Sequence, residues 1–116
     1  MNLRRDISDI LDEDFQRLQP FTQEVIRIIR AIPVGKVQTY GGIARMAGNP
    51  KGARQVSRIL HSLSSKYHLP WHRVINSKGE ISLINGWEEQ KTALEIEGII
   101  FSSHKKLDLN SYLWEG

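Results

Sequence analysis

Pro70-Trp71-His72-Arg73-Val74-Ile75 sets an imidazole between an indole and a guanidinium, directly ahead of two β-branched residues. The imidazole offers proton transfer or hydrogen bonding, the guanidinium anion binding, and the indole a flat apolar face for stacking. The run contains no nucleophile. The chain has no cysteine at all, which excludes a disulfide framework, a thiolate metal site and cysteine chemistry. His61, His68 and Asp108 show no metal-like spacing, so neither a metal nor another cofactor is expected. Val74 and Ile75 read as the start of a strand, which puts the polar and aromatic groups at a loop-to-strand junction where a pocket can form.

A second signal is electrostatic. Between Val25 and Gly79 there are ten Lys or Arg residues and no Asp or Glu, an asymmetry that the net charge of +3 conceals. A long segment of one sign is the footprint expected of a nucleic-acid-binding face. Lys36, Arg45, Lys51, Arg58 and Lys78 are the candidates for phosphate contact.

The elements that must carry these residues can be read from spacing. At 116 residues the chain is one domain with room for a core. Ile7, Leu11, Phe15 and Leu18 predict a first amphipathic helix stopped by Pro20. Thr22 as N-cap, with Phe21 stapled onto Ile26, predicts a second from Gln23 to Ala31 with Val25, Ile28, Ile29 and Ile32 inward. Lys36 to Gln38 reads as a short extended piece. Thr39 caps a short helix closed by Gly48, and Asn49-Pro50 opens the next. In that helix Ala53, Val56, Ile59, Leu60 and Leu63 form an apolar stripe, opposite Lys51, Arg54, Arg58 and His61. Two helices across a tight turn, the second with a basic outer face, spell a helix-turn-helix.

Ser64 to His68 reads as a polar loop. Val74 to Leu83 predicts a hairpin turning at Asn76–Gly79, which would be the wing. Asn85 is expected to cap a last helix through Glu97, ended by Gly98. Phe101, Leu107, Leu109, Tyr112, Leu113 and Trp114 lack a period, and their apolar area predicts an ordered strap across the domain. The fold class expected is therefore mainly α with a small β-hairpin, a winged helix-turn-helix. Residues 1–20 are expected to form an amino-terminal helical extension and 21–116 the domain with its strap.

The ordered set Ile32-Pro33-Val34-Gly35-Lys36-Val37, Thr39-Tyr40-Gly41, Gly48-Asn49-Pro50, Ala53-Arg54-Gln55-Val56, Pro70 to Ile75 and Glu97-Gly98 resembles the DNA-binding domain of O6-alkylguanine-DNA alkyltransferases over roughly residues 21–98. Those enzymes place a cysteine between the Pro and the His. Trp71 stands there in this chain, and an indole has no ionisable nucleophilic atom. A Trp at this position resembles the alkyltransferase-like proteins, which implies binding of O6-alkylguanine in double-stranded DNA without repair, and transfer of the site to nucleotide excision repair proteins.

The resemblance also implies roles. Tyr40 matches the tyrosine that crowds the target phosphate, and Arg54 the arginine finger that replaces the rotated base. Gln55 and Ser57 lie on the recognition helix that approaches the minor groove. His72 and Glu97 match the pair that would activate the thiolate; without it they can shape the pocket by hydrogen bonding. Trp71, Tyr40, His72, Arg73 and Glu97 are thus the expected lesion pocket; from the residues themselves, the stacking face and apolar area of its indole make Trp71 the expected recognition surface, and Arg73 is expected to pair with a neighbouring acid or hold the loop.

Two other functions fit less of the chain. A winged-helix transcription regulator would read sequence through the major groove and need no pocket at Trp71. An enzyme using His72 and Glu97 for acid–base work would lack a nucleophile or metal. Residues 1–14 are too charged for a secretory signal and no apolar run reaches membrane-spanning length, so a cytoplasmic protein without membrane contact is expected. With no dimerisation heptad, a monomer is expected.

Overall fold

The computed structural model of the protein describes residues 12–116. Ile7 and Leu11, read as part of the first helix, lie outside the described residues. The first described element is a single turn, α1 (Glu13–Gln16), N-capped by the Asp12 carboxylate, which accepts from Phe15 N–H at 3.1 Å. Phe15 is buried edge-on against Tyr67, with ring centroids 5.8 Å apart. Lys66 pairs with Asp14 at 2.8 Å beside this contact.

α2 (Pro20–Ala31) begins earlier than the Thr22 cap predicts. Pro20 takes the first helical position, where its fixed φ and missing N–H carry no penalty, so Thr22 falls inside the first turn. Val25, Ile26 and Ile29 are buried; Ile26 is core, and Ile28 only lines its edge.

β1 (Gln38–Thr39) leads straight into α3 (Tyr40–Met46), and the Thr39 hydroxyl accepts from Gly42 N–H at 2.9 Å as the expected cap. The turn to α4 (Ala53–Tyr67) takes in Asn49 and Pro50, so the helix starts later than Asn49-Pro50 suggests. Asn49 Oδ1 accepts from Lys51 N–H, an Asx turn that competes with helix initiation. Gly52 lets the junction pack closely: a Cβ there would lie 2.9 Å from the Phe21 ring and 3.1 Å from Asn49 O, so Phe21 would have to shift. At its other end α4 runs through Ser64–Tyr67, where the polar composition predicts a loop. Buried Tyr67 anchors the extra turn, and His68 ends it in the left-handed conformation at φ 51°.

A 3-10 turn (Trp71–Arg73) precedes β2 (Val74–Ile75), which pairs in parallel with β1, Gln38 opposite Val74 and Thr39 opposite Ile75. The turn expected at Asn76–Gly79 is formed, with Gly79 N–H donating to Asn76 O at 3.0 Å and Gly79 at positive φ, but beyond a single long contact from Asn76 N–H to Glu80 O at 3.4 Å the chain after it pairs with Lys106 and not back onto β2. A parallel pair needs a crossover, and α3 and α4 supply it. The hairpin lies instead at β3 (Phe101–Ser103) and β4 (Lys106–Leu107), with Glu80 pairing antiparallel to Lys106 on its outer edge. Gly79 turns the chain into this sheet at φ +75°, where a Cβ would meet the Leu107 carbonyl at 2.6 Å.

α5 (Trp87–Ile96) starts at Gly86, in a left-handed conformation and without a side-chain cap, so Asn85 does not serve as one. The strap is ordered as expected. It includes α6 (Leu109–Tyr112) and pairs Leu113 in parallel with Val37, where Val37 N–H donates to Tyr112 O and Trp114 N–H to Val37 O. Gln38 Nε2 donates to Trp114 O at 2.6 Å. Two clusters make the core. Among the described residues, one joins Phe15, α2, α3 and α4; the other joins Val37, Ile75, Ile81, Leu94, Ile99 and Leu107 beneath the β3–β4 hairpin. No helix among the described residues is long and apolar enough to cross a membrane.

Candidate nucleic-acid interface

The parallel register of β1 and β2 sets the site. Gln38 lies beside Val74, so the turn before β1 comes next to the 3-10 turn before β2. Gly35 thereby reaches the same carboxylate as Arg73. Glu97, the C-cap of α5, accepts from Gly35 N–H at 3.0 Å, from Arg73 Nε at 3.0 Å and from Arg73 NH2 at 2.8 Å. Its Oε2 lies 2.6 Å from His72 Nε2. Arg73 NH1 also donates to Ile32 O at 2.9 Å, which ties the end of α2 into the network. Burial by itself would raise the Glu97 carboxyl, but the Arg73 guanidinium, the Gly35 N–H and His72 outweigh it and hold the group down to about 2. The ionised carboxylate can only accept, so the hydrogen bond runs from His72 Nε2–H to Glu97 Oε2.

Above this network lies a cavity of about 340 Å³, within the range of roughly 300–1,000 Å³ usual for small-molecule sites. Tyr40, Ser57, Leu60, His61, Ser64, Trp71, Leu83, Asn85 and Gln90 line it. Tyr40 comes from the first turn of α3, and Ser57 to Ser64 from one face of α4. Trp71 is half-buried against the first core cluster and meets His72 edge-on, with centroids 6.4 Å apart. Burial raises the pKa of the Tyr40 phenol, which stays protonated. Among the described residues no Lys, Arg, Asp or Glu lines the cavity.

Of the five residues assigned to the pocket from sequence, Tyr40 and Trp71 line it. His72, Arg73 and Glu97 stand behind it and brace the Trp71 turn. Gln90 was not anticipated. It is buried on α5 and donates from Nε2 to His72 O at 3.1 Å and to Val74 O at 2.9 Å, fixing the backbone on the other side of that turn. Its only trace in the sequence is a glutamine on the inward face between Trp87 and Leu94. Ser64 is hidden by the loop-like composition of its segment.

The cations fall into groups. Arg54, Gln55, Ser57 and Arg58 are exposed on the first turns of α4, with Lys51 exposed just before them. Gln55 also receives a hydrogen bond from Asn49 Nδ2 at 3.3 Å. Arg45 is exposed on α3. Lys36 reaches across to Ser111 O on α6 at 3.5 Å, and Lys78 stands in the turn Asn76–Gly79 after β2. The first two groups lie on the helix-turn-helix; Lys36 and Lys78 do not.

Residues 20–99 match the family described as the 6-O-methylguanine DNA methyltransferase DNA-binding domain. The chain is 42% identical over 104 residues to a DNA base-flipping protein of Escherichia coli K12, covering 89% of this chain and 81% of that protein. It is 43% identical over 106 residues to alkyltransferase-like protein 1 of Schizosaccharomyces pombe, covering 85% and 98%. Its fold superposes on the crystal structure of S. pombe Atl1 in complex with damaged DNA containing O6-carboxymethylguanine, with a TM-score of 0.77 at 42% identity, over 86% of this chain and 99% of that one. With its winged helix-turn-helix fold, a Trp at the head of the 3-10 turn and no cysteine, this chain belongs to the 6-O-methylguanine DNA methyltransferase DNA-binding-domain family, among its alkyltransferase-like, base-flipping members.

Proposed function

We propose that this protein binds duplex DNA at O6-alkylguanine, holds the altered nucleotide outside the stack, and leaves it chemically unchanged. The observation that carries the reading is the cavity walled by Trp71 and Tyr40, opening beside the exposed basic turns of α4. A base inside a duplex presents its O6 edge to no pocket, so it must be extruded. Extrusion costs a few kcal/mol, least for a damaged or mispaired base. Stacking on an aromatic face returns about 1–3 kcal/mol, and the Trp71 indole also gives the alkyl group an apolar surface.

In this reading Arg54 enters the gap in the stack, Tyr40 crowds the phosphate of the turned-out nucleotide, and Lys51 and Arg58 hold the flanking backbone. Ser57, Ser64 and Asn85 offer hydrogen bonds to the base edge. His72, Arg73 and Glu97 keep the Trp71 turn in place. Since the chain has no cysteine thiolate to take the alkyl group, removal of the lesion falls to other proteins in this reading, and nucleotide excision repair proteins are the partners we assign.

The experiment is a titration of the protein with duplexes carrying guanine or O6-methylguanine, followed by Trp fluorescence, with the mass of protein and DNA measured afterwards. Preferential binding of the lesion with both masses unchanged is the expected result. An adduct on the protein, a changed base, or equal affinity for both duplexes would overturn the proposal.

A further inference from the structure

The sign of charge reverses after the basic segment. From Glu80 to Glu97 there are five Glu and a single Lys, and most of this stretch is α5 with the loop before it. Glu88, Glu89 and Glu95 are exposed, and among the described residues none of them is held in an ion pair. Glu88 and Glu89 occupy the first turn of the helix, where its dipole favours acids. Glu95 stands in the last turn, where the dipole disfavours them, so helix stability does not account for it.

Apolar groups gather at that same end. Ile96 is 81% exposed, Ile100 76% and Val34 68%. Gly35, next to Val34, donates its N–H to Glu97 Oε1 at 3.0 Å, and Glu97 follows Ile96 directly in the chain. Ile100 comes just after Gly98 has ended the helix. A single exposed apolar side chain needs no explanation, whereas several around the end of one helix make a patch.

The face lies on the side of α5 that the core does not use. Gln90 and Leu94 are the buried residues of the helix. Thr92 and Ile96 each stand two positions further on, about 200° round the axis. Between Glu88 and Glu89 at one end and Ile96 at the other, the short side chains of Thr92 and Ala93 leave a shallow hollow of about 390 Å³. Gln90 lines the Trp71 cavity, so the hollow faces away from that site.

An apolar hollow rimmed by unpaired carboxylates selects its occupant by complement. A phosphate backbone is repelled by sign. A second copy of this chain, paired by a two-fold axis, would bring the same acids face to face. What fits is a helix whose apolar stripe enters beside Ile96 while Lys or Arg on its flanks meets Glu88, Glu89 and Glu95. We propose that the outer face of α5 docks a basic amphipathic helix of a partner protein, on the side of the molecule away from the cavity, leaving DNA binding undisturbed. This docking face goes beyond lesion recognition and stands whichever base the cavity takes.

The test follows the amide resonances of the isotope-labelled full chain during titration with a synthetic peptide of about 18 residues, long enough to hold a helix, with Leu at helical spacing on one face and Lys on its flanks. The control is the same peptide with Glu in place of every Lys. The basic peptide is expected to move the resonances of Glu89, Thr92, Ala93 and Ile96, less so as salt is raised, and the acidic peptide to move none of them. Ile96→Gln combined with Glu89→Gln, both exposed and outside the core, should weaken the basic peptide roughly tenfold and leave affinity for guanine and O6-methylguanine duplexes at the wild-type values. No movement on α5 with the basic peptide, equal movement with the acidic one, or undiminished binding by the variant overturns the proposal. So does a variant that also loses affinity for DNA, because the face would then belong to the DNA interface. Movement of the same resonances on raising the protein concentration alone gives the face to a second copy and overturns it too. Equal wild-type affinity for lesion and guanine duplexes would overturn the proposed function and leave the docking face standing.

Discussion

Arg73 and Glu97 meet in a forked ion pair across 24 residues of chain, with Arg73 Nε 3.0 Å from Oε1 and NH2 2.8 Å from Oε2. Both side chains are largely buried, at 15% and 11% exposure. The pair joins the turn that carries Trp71 to the end of α5, and through Ile32 to α2. Removing one partner strands the other charge away from water, which costs about 3–5 kcal/mol when burial is complete. Arg73→Ala is expected to lower stability by about 3 kcal/mol in urea denaturation. Arg73→Lys keeps the charge without the fork and should recover less than half of that.

The same carboxylate gives stability a pH dependence with a definite sign. Glu97 is held down to about 2 in the folded protein, against 4.5 for an unperturbed glutamate. Its contribution is complete above about 4.5 and is lost as the pH falls toward 2, because the unfolded chain takes up the proton first. The loss expected is on the order of 3 kcal/mol. Acid titration of folding should show it in the wild type, and Glu97→Gln should be less stable at neutral pH with a flatter profile over that interval.

Trp71→Ala is expected to lower affinity for the O6-methylguanine duplex by about 1–3 kcal/mol, the value of one base stacked on an aromatic ring, and to affect the guanine duplex far less. Trp71→Phe should keep part of the preference. The measurement is the ratio of the two affinities, with circular dichroism to confirm folding. A ratio that stays at the wild-type value removes stacking on Trp71 from the mechanism.

Arg54 is exposed, so Arg54→Ala should change stability by less than about 0.5 kcal/mol. Its effect belongs to the DNA. A 2-aminopurine placed beside the lesion should brighten when the wild type unstacks it, and most of that signal should be missing with the variant. Full brightening would assign the gap in the stack to another residue.

His68 holds the left-handed cap of α4 at φ 51°, a conformation that costs a residue with a Cβ about 1–2 kcal/mol. His68→Gly is expected to stabilise the protein by about 1 kcal/mol and to raise the melting temperature by roughly 4–8 °C. A lower melting temperature would mean that the imidazole contributes more than the strain it imposes.

The helix-turn-helix was legible because each step rests on local chemistry. Thr39 caps with its own hydroxyl three residues ahead, and Val56 and Leu60 repeat at the helical period. Boundaries were read less well. Asn49 looks like a cap but spends its side chain on an Asx turn, and Tyr67 extends α4 through a polar run because Phe15, far away in sequence, gives its ring a partner. The chain after the Asn76–Gly79 turn reads as pairing back onto Val74 and Ile75, whereas Glu80 pairs with Lys106. Val74 and Ile75 have the composition of a hairpin strand, and nothing local says that they pair with Gln38 and Thr39 instead.

Residue type by itself determined that this protein has no thiolate to take an alkyl group, since it has no cysteine, and that one long segment suits a polyanion. Both are properties of side chains wherever they stand. Only the tertiary structure decided which residues meet. The parallel pairing of β1 with β2 brought Gly35 and Arg73 onto one carboxylate, separated Tyr40 and Trp71 at the cavity from His72, Arg73 and Glu97 behind it, and put Gln90 under the Trp71 turn. The reason is that pairing register and burial follow from contacts summed over the whole core, and those contacts join residues that no local pattern connects.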